Sequence, residues 1–573
     1  MVSSVVFRSS RFFLRLCKVM KRREIFLFDL RSDLILYYER IKNNIKMLNL
    51  KPERGPDMTF SNRLASALIA ALAALGTGSA MAETLKVQLS SDIRSSRPGV
   101  NRDSLSDMVA MNVGEGLVAF GERGNIVPML AESWTISDDG KVYTFKLRPG
   151  RLFHDGTVVT AEAVKASWEA LLAVPDFNCT GFFDGSRGAA ITSIAAPSPD
   201  TVVIVLDKPE AMFLKYSAQS QCGGMAIMGA ASFAADGTWD HPVGTGPFVF
   251  GQWRRGQSLE LTKFADYQPL DGGIDGFAGH KEVLVDAVDL VVTPDRATAV
   301  AALRSGDLDV APYLLTSEVA ELKEDPAFTV KSAPHGGMIT LLMQTADPVL
   351  SATEMRMAIA KALDIPQLVE VATNGLGKAN ASLVPVGSYY YDDIQAKNVA
   401  YAPEQVPGHL KAAGYAGQEI LIQTNRRNPI NENVAVLAQA MLQMVGINAK
   451  IEVLEWATQL DKFRSGAFQM SAFNYSNRAD PVLAYSAVVG KKEDRGSAIW
   501  DDPKAIALVA QVMQTPDGED RQALFDQLHE LYLQQMPFIM LANNLDVSVS
   551  SSYVQGYATW NGFARLWGVS IEK

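Results

Sequence analysis

Residues 419–474 read EILIQTNRRNPINENVAVLAQAMLQMVGINAKIEVLEWATQLDKFRSGAFQMSAFN, and the spacing of apolar residues in this stretch decides the fold class. Alternation over 419–424 predicts a strand, and the 3.6-residue period over 431–445, closed by Gly446, predicts a helix. A strand at 449–455, a short helix at 458–465 and a strand at 468–474 follow. The order is therefore βαβαβ, which implies neighbouring parallel strands joined by right-handed crossovers. In open sheets of this kind a ligand sits beyond the carboxyl ends of the strands, so the loops starting at Asn425 and Tyr475 should face it.

Outward from this unit the pattern stays mixed. Thr84–Leu89, Val142–Leu147 and Thr201–Leu206 alternate as strands, with Tyr143, Phe145 and Leu147 on one face. Thr160 caps a helix through about Leu172. Strand signals return at Phe248–Phe250, Ser258–Phe264 and Ala287–Thr293, and a helix near Thr298–Ser305 ends at Gly306. No repeat or low-complexity tract interrupts the chain, and 573 residues exceed what one core supports, so at least two domains are expected.

Met58–Arg63 leads into the uncharged run Leu64–Leu75 and then Ala80-Met81-Ala82, the layout of a secretory signal peptide with a small-residue cleavage site. The run is too short to span a bilayer ~30 Å thick. Met58 is thus read as the start, residues 1–57 as an upstream stretch outside the native protein, and Glu83 as the mature N-terminus. Residues 83–573 carry 39 Lys and Arg against 57 Asp and Glu, a net charge of −18 that argues against nucleic acid or an anionic membrane as partner. Cys179 and Cys222 remain in this exported part, where an oxidising compartment permits a disulfide between them, two buried free thiols being the alternative.

Leu130-Ala-Glu-Ser-Trp134, Ser137-Asp-Asp-Gly-Lys-Val-Tyr-Thr-Phe-Lys-Leu-Arg148, Phe153-His-Asp-Gly-Thr157, Gly244-Thr-Gly-Pro-Phe248, Gly306-Asp-Leu-Asp-Val310 and Arg356–Asp364 are spread over nearly all of the exported chain. Together they resemble the extracellular solute-binding family that includes oligopeptide, dipeptide and nickel binders. Most of these residues read as scaffold, His154, Asp155 and Gly244–Gly246 among them. The resemblance implies an α/β, two-lobed periplasmic-binding-protein fold with an extra subdomain in the larger lobe and the ligand in the interlobe cleft. It implies a first lobe of 83–338 plus 541–573, the subdomain at about 125–240, a second lobe of 339–540, and hinge strands at Met338–Gln344 and Phe538–Asn543. It implies a monomeric periplasmic subunit of an ABC importer that passes a peptide or similar zwitterionic solute to membrane permease subunits, without catalysis, cofactor or metal.

In peptide binders of that family an arginine after a second-lobe strand meets the ligand carboxylate and an aspartate in a later loop meets its amino group. A guanidinium offers a planar fork to a carboxylate, and a carboxylate accepts charge-assisted hydrogen bonds from an ammonium. The matching stretches here are Asn425–Asn433 and Asn474–Pro481, so Arg426, Arg427, Tyr475 and Asp480 are the candidate ligand-binding residues. Two departures bear on the ligand. The arginine stands one position early, and Arg478 lies where it would satisfy Asp480 itself or serve an anion. Solvated loop charge is the plain alternative for Arg426 and Arg427, a turn before proline for Asp480 and core packing for Tyr475. Trp456 reads as packing, and Tyr389–Tyr391 as either a recognition patch or lobe packing.

An anionic metabolite such as an opine or glutathione-like solute, or a metal chelate, is the second reading. An exported hydrolase is the third, yet the chain has no G-x-S-x-G and no H-E-x-x-H. Its six histidines are scattered, which argues against a direct metal cage.

Overall fold

The computed structural model describes residues 83–573. The segments read as an upstream stretch and a signal peptide, 1–57 and 58–82, lie outside them. Among the described residues no helix is long and apolar enough to cross a membrane.

A ten-stranded mixed sheet organises the molecule. Its order is Ala449–Val453, Ile420–Thr424, Met470–Tyr475, Phe328–Met343, Phe538–Ser551, Val310–Ala311, Thr84–Leu89, Ala287–Val292, Ser258–Lys263 and Phe248–Arg254. The βαβαβ unit forms one end. Ile420–Thr424 pairs parallel with both Ala449–Val453 and Met470–Tyr475, so the crossover reading holds. The first helix of the unit is Pro429–Met444, capped by Asn428, whose Oδ1 accepts from the Ile430 amide at 3.1 Å. Proline at the first helical position costs nothing, because that N–H has no partner within a helix anyway. The second helix is Trp456–Ser465, stopped by Gly466 in the left-handed conformation.

Two long antiparallel strands, Phe328–Met343 and Phe538–Ser551, join the halves of the sheet. Their register runs unbroken from Phe328↔Ser551 to His335↔Asn544, slips, and resumes at Met338↔Asn543. The slip falls on Gly336-Gly337. A Cβ on Gly336 would stand 2.1 Å from the Arg478 carbonyl oxygen, so only glycine lets the two chains approach here.

A separate four-stranded antiparallel sheet, ordered Ala131–Ile136, Val142–Leu147, Thr201–Leu206, Ile191–Ser198, carries the expected face: Tyr143, Phe145 and Leu147 are buried, as are Val202, Ile204 and Leu206. Helix Ala161–Leu172, capped by Thr160, buries Trp168, whose indole N–H donates to the Met225 carbonyl at 3.0 Å. Cys179 and Cys222, both fully buried, form a disulfide with Cα atoms 5.5 Å apart. The family-like motifs are scaffold. A Cβ on Gly244 would lie 2.3 Å from the Val113 oxygen, while His154 Nδ1 accepts from the Gly244 amide and Nε2 faces the Gly246 carbonyl.

Candidate ligand-binding site

Three strand ends of the βαβαβ unit converge on a cavity of about 390 Å³. Asn425 follows the first strand, Trp456 follows the second, and Asn474 lies near the end of the third. The facing wall comes from the other half of the sheet, from Tyr313–Thr316 and from Asn544–Val547 on the long final strand. The site is thus at the carboxyl ends of parallel strands, where strand order reverses.

The loop after Ile420–Thr424 is pinned from inside. Buried Asn425 accepts from the amides of Arg427 and Asn428 at 2.9 and 3.2 Å, and its Nδ2 donates to Gln459 Oε1 at 2.6 Å. This sends Arg427 out over the cavity, its guanidinium carbon 5.6 Å from the centre of the Trp456 ring. Trp456 in turn stacks on Phe473 with ring centres 5.7 Å apart, so it is a packed platform and also part of the lining. The N-terminus of Pro429–Met444 opens on the same space through Asn428, Ile430 and Asn431, and brings partial positive charge beside Arg427.

Polar atoms around this cavity lack partners. Both side-chain atoms of Asn474, Asn431 Oδ1 and Asp546 Oδ2 are buried and make no hydrogen bond. Buried polar groups are nearly always satisfied, so such a group lining a cavity points to something that fills it. Tyr313 carries a left-handed backbone (φ 63°) at the same wall, an uncommon state for a bulky residue, and its hydroxyl accepts from the Ala564 amide at 3.1 Å.

The other candidates lie elsewhere. Arg426 is turned to solvent, its side chain 75% exposed, and pairs with Glu432 at 3.2 Å. Tyr475 is buried between Phe463 and Phe473, at 5.9 and 5.1 Å between ring centres, and burial raises its pKa. Arg478 lines a second cavity of about 250 Å³ with His335 and Gly336, and its Nη1 donates to Ser476 Oγ at 2.8 Å and to the Asn477 carbonyl at 2.9 Å.

The expectation for Asp480 is corrected. It is 1% exposed, caps helix Pro481–Val488 through the Val482 amide at 2.9 Å, and takes a two-pronged contact from Arg521 at 2.9 and 3.1 Å. Lys215 Nζ closes on the same carboxylate, and Arg478 is not its partner. Lys215 also meets Asp517 at 2.5 Å, and Arg521 meets Asp517 at 2.7 Å. Burial opposes the charge of Lys215, but these carboxylates outweigh it and its pKa is raised. Asp480 therefore has no oxygen left for a ligand. Of the tyrosine run, Tyr390 is buried and donates to Asp517, so it packs, while Tyr389 stays 45% exposed with the Arg123 guanidinium 5.5 Å from its ring centre.

Residues 125–496 match the model of the bacterial extracellular solute-binding proteins, family 5, middle region. The chain belongs to that family. Family 5 proteins are the solute-binding components of ABC importers, and the proteins this chain is similar to are solute binders rather than enzymes. It is 26% identical over 459 residues to the dipeptide-binding protein of Escherichia coli K12, covering 75% of this chain and 83% of that one. HbpA2 from Haemophilus parasuis shares the two-lobed α/β fold at a TM-score of 0.72 and 24% identity, covering 86% of this chain and all of that one. DppA from Helicobacter pylori, solved with the peptide STSA, is 26% identical with a TM-score of 0.59 over 86% of this chain and 98% of that one.

Asn474, Asn431, Tyr313 and Asp546 were not singled out by sequence reasoning. Asn474 and Asn431 lie within the motifs that drew attention to Arg427 and Asp480, so the signal was present but attached to the charged neighbours.

Proposed function

We propose that this protein is the periplasmic capture subunit of an ABC importer, and that the 390 Å³ cavity takes a small peptide or a solute of like size carrying both charges. The observation that carries this reading is the lining itself: Arg427 at a helix N-terminus, an aromatic platform at Trp456, and the buried amide of Asn474 and amide oxygen of Asn431 without partners. An extended peptide backbone needs such amides, and its terminal carboxylate needs the guanidinium. The volume stands at the small end of the ~300–1,000 Å³ typical of small-molecule sites. A carboxylate in the same lining, Asp546, favours a zwitterion over an anionic metabolite or a metal chelate.

In this reading the first lobe is 83–338 plus 541–573, with a subdomain at about 125–240 built on the four-stranded sheet, and the second lobe is 339–540. The strand pair Phe328–Met343 and Phe538–Ser551 serves as the hinge, bending at its register slip. A ligand that contacts both walls stabilises the closed state by its preference for that state, and the permease reads the closed form. No catalytic step is needed.

Thermal denaturation against di- and tripeptides, glutathione, opines and nickel chelates tests this. A true ligand at one hundred times its Kd stabilises by ~2.7 kcal/mol. Peptides should give the largest shifts. No shift from any peptide, together with turnover of a chromogenic ester or amide, sinks the proposal.

A further inference from the structure

Asp546 sits on the long final strand, 7% exposed, and lines the cavity opposite Arg427 and the helix N-terminus. Its Oδ2 has no hydrogen-bond partner among the described residues. The one ion-pair neighbour within 4 Å among them is His335, whose Nε2 stands 3.9 Å from Oδ1, too far for a hydrogen bond. His335 is itself held back from protonation: burial lowers its pKa, and its Nδ1 is occupied as acceptor from the Gly337 amide at 3.0 Å. The phenols of Tyr313 and Tyr557 border the same carboxylate and feel its negative charge. No lysine or arginine among the described residues answers it.

A buried carboxylate without a cation is costly, and native structures supply a partner for such a group. The place for a cation is the cavity that Asp546 lines, which also carries Arg427 and a helix N-terminus, while Oδ2 stays buried and unpaired just behind the lining. We infer that Asp546 is the carboxylate that receives the ligand's ammonium group, in the role that the chain's sequence suggested for Asp480. The assignment rests on the reading of the cavity as the site of a zwitterionic solute, and it fixes the ligand's polarity: carboxylate toward Arg427, ammonium toward the final strand. The ligand's two charges then contact the two lobes separately, so a solute with only one of them spans the cleft poorly.

The test uses Ala-Ala, Ala-Phe and Ala-Glu, each beside its propionyl counterpart, which keeps the carbon skeleton and lacks the ammonium. Calorimetric titration of the wild-type protein should show at least a tenfold preference for the tightest-binding dipeptide over its propionyl form. In Asp546→Asn that preference should fall to within twofold or threefold, with propionyl affinity kept. Asp480→Asn should retain the preference. Equal wild-type affinity for both forms, or a preference that survives Asp546→Asn, overturns the assignment while leaving peptide capture standing. Loss of both forms in an Asp546→Asn protein with an unchanged melt marks a role in shaping the cavity and overturns it too. If no dipeptide binds the wild-type protein but another solute class does, the functional reading fails and this inference falls with it.

Discussion

Asp480 and Asp546 are both buried carboxylates on elements that frame the cleft, and their surroundings are opposite. Asp480 is enclosed by Arg521, Lys215 and a helix N-terminus. Asp546 has a cavity on one side and a neutral-leaning histidine on the other. A buried charge with every lone pair matched holds structure together, and a buried charge with an open oxygen holds something else. Charge and burial alone do not separate the two roles. The partner count does.

The contrast breaks most visibly when the cations around Asp480 are removed. Arg521→Met takes the two-pronged contact from buried Asp480 and leaves Lys215 as its one cation among the described residues, and removing one partner of a buried pair costs ~3–5 kcal/mol. Urea unfolding should register a loss of this size. If the variant folds well enough to bind, its preference for dipeptide over propionyl form should be unchanged. An Arg521→Met protein as stable as wild type would mean that the cluster contributes little and that Asp480 and Asp546 differ less than their partners suggest.

Lys215→Met is a milder cut, because Arg521 still covers Asp480. Loss of charged hydrogen bonds of this sort costs ~1.5–3 kcal/mol. Lys215 lies on helix Phe213–Ala218, while Asp480 and Asp517 lie far along the chain, so under the lobe assignment proposed above this contact would tie the subdomain to the second lobe. Small-angle scattering of the unliganded variant should therefore show a larger radius of gyration than wild type. An identical radius would mean that the contact stabilises the fold without bearing on closure.

Local pattern and long-range partnership explain what was legible in the sequence. The βαβαβ unit, the strand faces at Tyr143–Leu147 and the caps at Thr160 and Gly306 were readable because each depends on residues within a few positions. The long strand pair was legible only in part. Met338–Gln344 was expected, whereas the strand begins at Phe328, because Pro334 and Gly336-Gly337 look like a break until the partner strand is known. The ion pairs of Asp480 were not legible for the same reason. Its partners lie 41 residues later and 265 earlier, and nothing local announces them. Asp546 is the harder case, since what matters is a partner that is missing.

Arg427→Ala sharpens the comparison from the ligand side. The loop beneath it is pinned by Asn425, so the truncation should leave stability within ~0.5 kcal/mol of wild type. Affinity for a dipeptide should drop ~10–100-fold, or ~1.4–2.8 kcal/mol. Arg426→Ala, which removes a solvent-facing pair with Glu432, should leave affinity unchanged. Equal effects from the two arginines would mean that the loop matters only through its net charge.

The smallest effect carries the sharpest contrast in sign. Asp480→Asn should destabilise the unliganded protein, whereas Asp546→Asn should stabilise it by on the order of 1 kcal/mol, because it removes a buried charge that no lysine or arginine among the described residues answers. Burial raises the Asp546 pKa above 3.8, and the opposing pull of His335 and the Gly562 amide does not cancel this. The folded state thus holds this proton more tightly than the unfolded chain does. The contribution is complete below 3.8 and is lost as pH rises through the folded pKa. The advantage of Asp546→Asn should accordingly be largest at neutral pH and shrink toward zero as pH falls to 3.8. Urea midpoints measured across that range in the absence of ligand test the sign directly. An Asp546→Asn protein less stable than wild type at pH 7 would show that the Gly562 amide and His335 already compensate the carboxylate's charge inside the fold.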